Sequence, residues 1–460
     1  MPKLPQTSSP QHDGSRRQVF AMGWPIWISL ISVTIKSVVD MMMVGTLGTD
    51  ELAGVGFAGV VVFNILCFGV GVLRGQKSLI SQYLGANKPT EAFRYGVHAF
   101  YLSCIFGLCC LGLALVQNNF FEIFASPALS SRTIEAGNDY FNTRLAWGGS
   151  MFSILAIGEY LRATGRTKLP MIADLISQPL NVILNYALIF GHFGCPELGV
   201  VGAAIGTGIA DLLAALLMLV IIRKPLEIQQ IALSWYHLKR SFEVGASNGV
   251  QFTLEIGSFT LITYFIGYLG TNDLAAHSAT INIMHFSFMT AVALADGGSV
   301  LIGKYVGANQ WTTVERTLRS MIEITLPLMI GIGLIFFFFG EELIGLYVDD
   351  PIPIAIGAKL LVVAAAWQIG DAFQICLRFA LRTAGDHNWV MWAGILTSWG
   401  LSVPAAAFAI WGLDGDVVTV WWVWNFQVYL CTLIFWKRWK NGQWKKKRLV
   451  REDQPRVVDQ

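Results

Sequence analysis

Tyr83-Leu84-Gly85-Ala86-Asn87 returns as Tyr305-Val306-Gly307-Ala308-Asn309. Gly45-Thr46-Leu47-Gly48-Thr49-Asp50-Glu51-Leu52-Ala53 returns as Gly267-Tyr268-Leu269-Gly270-Thr271-Asn272-Asp273-Leu274-Ala275. Both displacements are 222 positions, so no gap separates the two copies across residues 45–87. A 460-residue chain made of two matching halves, each rich in long apolar runs, has the plan of a secondary transporter with its substrate path between the halves.

Composition agrees. Apolar residues make up 54% of the chain and charged ones 13%, against about 25% charged in soluble domains. So much apolar surface belongs in lipid. The net charge of +2 says little about partners, because in a membrane protein the placement of charge matters more than its sum. Cys67, Cys104, Cys109, Cys110, Cys195, Cys376 and Cys431 follow no metal-ligand spacing and read as packing residues. The first apolar segment is too long for a signal peptide and is followed by no cleavage site, so it reads as a membrane span.

Apolar stretches of about 20 residues fall at 19–44, 54–83, 95–117, 140–163, 170–191, 199–222, 244–268, 276–304, 317–339, 357–382, 389–411 and 416–437. Backbone groups in hydrocarbon must be satisfied within their own segment, so these lengths imply helices. The expected fold is an all-α integral membrane protein with twelve transmembrane helices in two pseudo-symmetric six-helix bundles. Its parts are an N-terminal tail over 1–18, an N-lobe over 19–222, a linker over 223–243, a C-lobe over 244–437 and a basic tail over 438–460.

The connections alternate in charge. Lys88, Arg94, Arg166, Lys168, Arg223, Lys224, Lys239, Arg240, Arg316 and Arg319 fall on the side of the amino terminus, which carries Lys3, Arg16 and Arg17, and of the basic tail. Asp50, Glu51, Glu197, Asp273, Glu341, Glu342, Asp349, Asp350, Asp414 and Asp416 fall opposite. The positive-inside rule makes both termini cytoplasmic, and the short terminal tails point to a bacterial inner membrane. The linker, with Leu238-Lys239-Arg240-Ser241, reads as an amphipathic tether along the inner surface. Trp421, Trp422, Trp424, Trp436 and Trp439 read as interfacial belts of the last span.

Both Gly-Ala-Asn copies should stop a helix, since Gly and Asn tolerate the left-handed conformation. No phosphate-binding loop of the Gly-x-x-x-x-Gly-Lys-Ser/Thr form is present. Energy should therefore come from an ion gradient, with no cofactor beyond the coupling ion, sodium or a proton. No nucleophile-base or His-Glu-x-x-His constellation suggests an enzyme, and nothing suggests a nucleic-acid partner.

Ionisable groups inside spans are costly and tend to face a partner or a water-filled path. Three carboxylates stand out: Asp40 toward the outer end of span one, Glu255 near the middle of span seven and Asp371 near the middle of span ten. The 222-residue shift gives Glu255 and Asp40 no acidic counterpart. Lys36 lies one helical turn before Asp40 on the same face. It either neutralises Asp40 or acts as an internal cation that a proton or substrate displaces. Arg74 and Asp296 are related by the same shift and carry opposite charge, so they are expected to approach each other as an inter-lobe pair in one transport state. The alternative is that each finds a partner within its own half. His277 and His285 are too isolated to propose a metal.

Val39-Asp40-Met41-Met42-Met43-Val44-Gly45, the following Gly48-x-x-x-Leu52-Ala53, and His192-Phe193-Gly194-x-Pro196-Glu197-Leu198-Gly199-Val200-Val201-Gly202-Ala203-Ala204 resemble the multidrug and toxic compound extrusion (MATE) family, NorM-like branch. The resemblance covers all twelve expected spans. It implies two six-helix bundles that export small organic cations or drugs through the lipid bilayer in exchange for sodium or protons, as a monomer. It also implies that Asp40 matches the acid of the first helix, and that Glu255 and Asp371 match the acid pair of the second lobe, where sodium would be held. Asn181, Asn185 and Thr207 match polar positions of the fifth and sixth helices. Lys36 departs from the family pattern. A flippase for lipid-linked saccharides, from the same broad superfamily, is the alternative, with Arg74 and Lys77 as its hint.

Overall fold

The computed structural model describes residues 13–116, 130–223 and 233–450. Lys3, Lys224, the rest of 224–232 in the expected linker, and the tail beyond 450 lie outside the described residues. Among those described, every regular element is helical. In chain order they are α1 (Arg16–Gly45), α2 (Thr49–Gly85), α3 (Pro89–Val116), α4 (Ser131–Ala146), α5 (Gly148–Thr164), α6 (Lys168–Phe190), α7 (Gly199–Arg223), α8 (Trp235–Gly267), α9 (Thr271–Gly307), α10 (Trp311–Phe338), α11 (Gly340–Gly345), α12 (Pro351–Ala384), α13 (His387–Thr397), α14 (Val403–Trp411) and α15 (Val417–Lys440).

Among the described residues, eleven helical stretches are long and apolar enough to cross a membrane, the one over His387–Trp411 running through a π-helical turn at Ser398–Ser402. The expected fourth span is divided. Trp147 interrupts it, and α4 and α5 meet there with 16 and 17 residues. The Gly148-Gly149 pair after Trp147 lowers the cost of such a break. Residues 235–243, expected in the linker, are the opening turns of α8.

Local chemistry sets the ends. The Ser130 hydroxyl accepts from the Thr133 amide at 3.1 Å to start α4. Asp350 accepts from the Ile352 amide at 2.9 Å before Pro351 opens α12. Asp416 accepts from the Thr419 amide at 2.9 Å ahead of α15. Each satisfies an amide that the helix itself leaves open.

The turns after the repeated segments are copies in geometry as well as in sequence. Asn87 and Asn309 both stand at φ 58°. After α2, the Asn87 and Lys88 amides bond the Leu84 and Tyr83 carbonyls at 3.1 and 2.9 Å; after α9, the Asn309 and Gln310 amides bond Val306 and Tyr305 at 3.1 and 2.9 Å. The asparagine, not the glycine, takes the left-handed position.

The chain forms two compact units whose boundaries fall inside helices. Of the described residues, one unit holds 28–80, 90–116, 130–223 and 233–253, and the other holds 13–27, 81–89 and 254–450. The core of the first includes Leu66, Leu73, Phe141, Leu145 and Phe152. There a Cβ on Gly75 would lie 2.8 Å from the Gly245 Cα, so α2 and α8 touch backbone to backbone. The second unit packs Met321, Ile375, Leu381 and Phe435 in one cluster and Leu360, Leu361 and Trp421 in another. In it a Cβ on Gly297 would lie 2.7 Å from the Gly23 Cα. The pairs Gly75–Gly245 and Gly297–Gly23 are images of each other under the 222-residue shift.

Also in the second unit, a Cβ on Gly85 would run into the Lys304 carbonyl, and one on Gly307 into the Gln82 carbonyl. The carboxyl-terminal segment closes over this crossing. The Gln82 amide nitrogen donates to the Thr383 carbonyl at 2.6 Å while its oxygen accepts from the Leu449 amide at 2.8 Å. Arg448 donates to the Gly307 carbonyl at 2.6 Å. Trp444, Leu449 and Val450 are buried, so this part of the expected basic tail is packed structure. Trp422 and Trp436 are exposed as a belt requires, but Trp421 is fully buried and donates its indole N–H to His277 at 3.1 Å. Of the cysteines, Cys104 and Cys109 are exposed, while Cys67, Cys110, Cys376 and Cys431 are buried.

Candidate functional site

The first unit gathers the polar residues singled out on its helices. Asn181 and Asn185, one turn apart on α6, are fully buried. Asn185 donates to Asp40 of α1 at 2.8 Å, and Asn181 donates to the Thr207 hydroxyl of α7 at 3.1 Å. Thr207 in turn donates to the Ala203 carbonyl at 2.9 Å. Gly206 makes room, since a Cβ there would strike the Asn185 side-chain oxygen. That oxygen accepts no hydrogen bond among the described residues. Lys36 is close enough for its charge to act on Asp40 but forms no ion pair with it among the described residues.

More charge surrounds this site than Asp40 and Lys36. Arg144 of α4 reaches Asp211 of α7 at 3.5 Å. Asp174 of α6 lies near Ser29 of α1. Elsewhere in the same unit Glu159, 2% exposed, receives Arg162 at 2.8 Å and faces Lys77 at 3.8 Å. Arg74 stands with its guanidinium 5.7 Å from the centre of the Phe252 ring. Glu159, Asp174, Asp211 and Arg144 were absent from the candidates, although the rule that selected Asp40, charge inside an apolar span, points to each of them.

In the second unit Glu255 of α8 and Asp371 of α12 gain a partner that the candidate list lacked. Arg378, seven residues after Asp371 on α12, places its Nη1 3.1 Å from one Glu255 oxygen and 3.3 Å from the other. Its charge also acts on Asp371. Asp371 is buried, with Trp367 one turn earlier on the same helix. Trp367 meets Trp424 edge to face at 5.3 Å, and Trp424 meets Phe259 at 5.4 Å. The three rings are half-buried, so a carboxyl group and aromatic faces share one side of the unit. Asp296 of α9 is 8% exposed, and its carbonyl accepts from Ser299 at 2.7 Å. His277 is held by Thr263 at 3.1 Å as well as by Trp421. Among the described residues no three His, Cys, Asp or Glu side chains cluster as a metal centre would require.

Buried charges on long apolar helices, arranged on a duplicated frame, are the parts of a membrane carrier. The MatE family profile matches residues 25–187 and 249–408, and the chain belongs to that family, one of transporters and not of enzymes. It is 25% identical over 445 residues to the uncharacterized transporter YisQ of Bacillus subtilis, covering 94% of this chain and 96% of that protein. It is 27% identical over 421 residues to the probable multidrug resistance protein NorM of Bacillus cereus, covering 87% and 90%. Among solved structures, a MOP superfamily transporter from Pyrococcus furiosus superposes with a TM-score of 0.85 at 17% identity, covering 94% of this chain and 96% of that one. The MATE transporter VcmN of Vibrio cholerae gives 0.83 at 20% identity, covering 94% and 98%.

Proposed function

We propose that this protein expels small organic cations, drugs among them, by antiport against a cation, with sodium favoured over the proton. The observation that carries the reading is Asp371, buried on α12 beside the half-buried rings of Trp367, Trp424 and Phe259. Ring faces attract organic cations, and the carboxylate supplies the charge for which substrate and coupling ion compete. Glu255 and Asp371 contribute oxygens to the coupling ion, and Asp40 with Asn185, Asn181 and Thr207 forms a further polar site in the first unit. The protein works as a single chain in a bacterial inner membrane with both termini in the cytoplasm, because the basic connections share the side of the amino terminus.

The test is efflux of a fluorescent organic cation from liposomes under an imposed sodium or pH gradient, with Asp371→Asn, Glu255→Gln and Asp40→Asn compared. Sodium-driven efflux that Asp371→Asn abolishes supports the reading. Sodium-driven efflux untouched by Asp371→Asn and Glu255→Gln overturns the assignment of the site.

One observation favours a flippase of lipid-linked saccharides. Arg74, Lys77 and Arg162 outnumber Glu159 around one buried site, which suits a pyrophosphate. Movement of such a lipid in the same liposomes, with no efflux of organic cations, would establish it instead.

A further inference from the structure

At the amino-terminal end of the second unit, Ser15, Arg16 and Arg17 from the start of α1 and Arg316, Arg319, Ser320 and Glu323 from α10 line a cavity of about 490 Å³. Its shape is held from below. Gly14 stands at φ 68° with Thr317 so close that a Cβ would strike the hydroxyl, which seats residues 13–15 on α10. The Ser15 amide donates to Asp13 at 3.0 Å.

The charges do not cancel. Glu323 takes Arg16 at 2.9 Å on one oxygen and Arg319 at 2.8 Å on the other. Asp13 lies 3.6 Å from Arg316. The Ser15 hydroxyl holds its carboxyl below the usual range, so it is ionised at neutral pH. Arg17 forms no ion pair among the described residues. Four arginines face two carboxylates, and two serines add hydroxyl donors. Planar guanidinium groups match phosphate oxygens in pairs. One turn deeper along α1, Phe20 is 52% exposed, so apolar surface begins where the basic lining ends.

We propose that this cavity binds the phosphate headgroup of an anionic phospholipid, with the acyl chains running over Phe20 along α1. A free phosphate ion would use the arginines but gain nothing from Phe20, and the lipid gains from both. Basic cavities at the cytoplasmic ends of membrane helices are suited to such headgroups. The inference is separate from the choice of transported substrate.

Full-length protein, stripped of lipid in detergent, is titrated with phosphatidylglycerol, phosphatidylcholine and sodium phosphate, and occupancy is read by native mass spectrometry. The wild type is expected to prefer phosphatidylglycerol over phosphatidylcholine by at least about tenfold. Arg17→Gln with Arg316→Gln should reduce that preference by about ten- to thirtyfold. Lys446→Gln with Lys447→Gln, in exposed tail positions, should leave it unchanged. Melting temperatures of the variants confirm that they are folded. Equal binding of the two lipids, an unchanged preference in the arginine variant, an equal loss in the lysine variant, or binding of sodium phosphate as tight as that of phosphatidylglycerol would each overturn the proposal.

Discussion

Arg378 and Glu255 are joined across α12 and α8 at 3.1 Å, with both carboxylate oxygens engaged by one guanidinium nitrogen. Their side chains are 12% and 27% exposed, so water screens the pair in part. Arg378→Gln removes this guanidinium from Glu255 and is expected to cost about 1–3 kcal/mol of stability. Glu255→Gln combined with Arg378→Gln should cost less than the sum of the single changes. Thermal unfolding of the four proteins in one detergent checks this, and strict additivity would contradict it.

Asp371 is buried one turn after Trp367 and feels the charge of Arg378. Asp371→Asn keeps the shape and removes the charge. It should abolish ion-coupled efflux while leaving the melting temperature within a few degrees of wild type. A fully coupled Asp371→Asn protein in a sodium-gradient flux assay would remove Asp371 from the mechanism.

Asn185 is the donor to Asp40 at 2.8 Å. Asn185→Ala strips a half-buried carboxyl of that bond and should destabilise by about 1–2 kcal/mol. Lys36→Met should shift stability less, because Lys36 makes no ion pair with Asp40 among the described residues. Guided by that difference, thermal melts of the two variants separate a hydrogen-bonded Asp40 from one neutralised by lysine.

Trp444 is 1% exposed, stacked on Trp439 at 4.1 Å, with its indole N–H on the Trp439 carbonyl at 2.8 Å. Trp444→Ala should cost about 3–5 kcal/mol, whereas Lys446→Ala on the exposed side should cost under about 0.5 kcal/mol. Comparable melting temperatures for the two would mean that the segment is not anchored.

Much of the frame was legible because it rests on local signals. The 222-residue repeat gave copied turns, and apolar length gave the helices. The break at Trp147 escaped because a count of apolar residues runs straight through a tryptophan and two glycines, yet the glycine pair was there to be noticed. The polar chain Asp40–Asn185–Asn181–Thr207 came from the family pattern, and the structure brings it together. Arg378 escaped for another reason. It lies 123 positions from Glu255, and no local pattern says which helices are neighbours. Trp421 read as a belt residue because its composition context matches one, and only the position of His277 shows where its N–H goes.

The crossing of α2 and α9 has a further consequence. Gly85 meets Lys304 and Gly307 meets Gln82, and the 222-residue shift turns each contact into the other. A contact that is its own image is the mark of a surface pairing with a second copy of itself. The two helix ends therefore pair inside one chain as two copies of one surface would. A side chain on Gly85 or on Gly307 would meet a backbone carbonyl of the opposite helix, so either substitution forces the two helix ends apart.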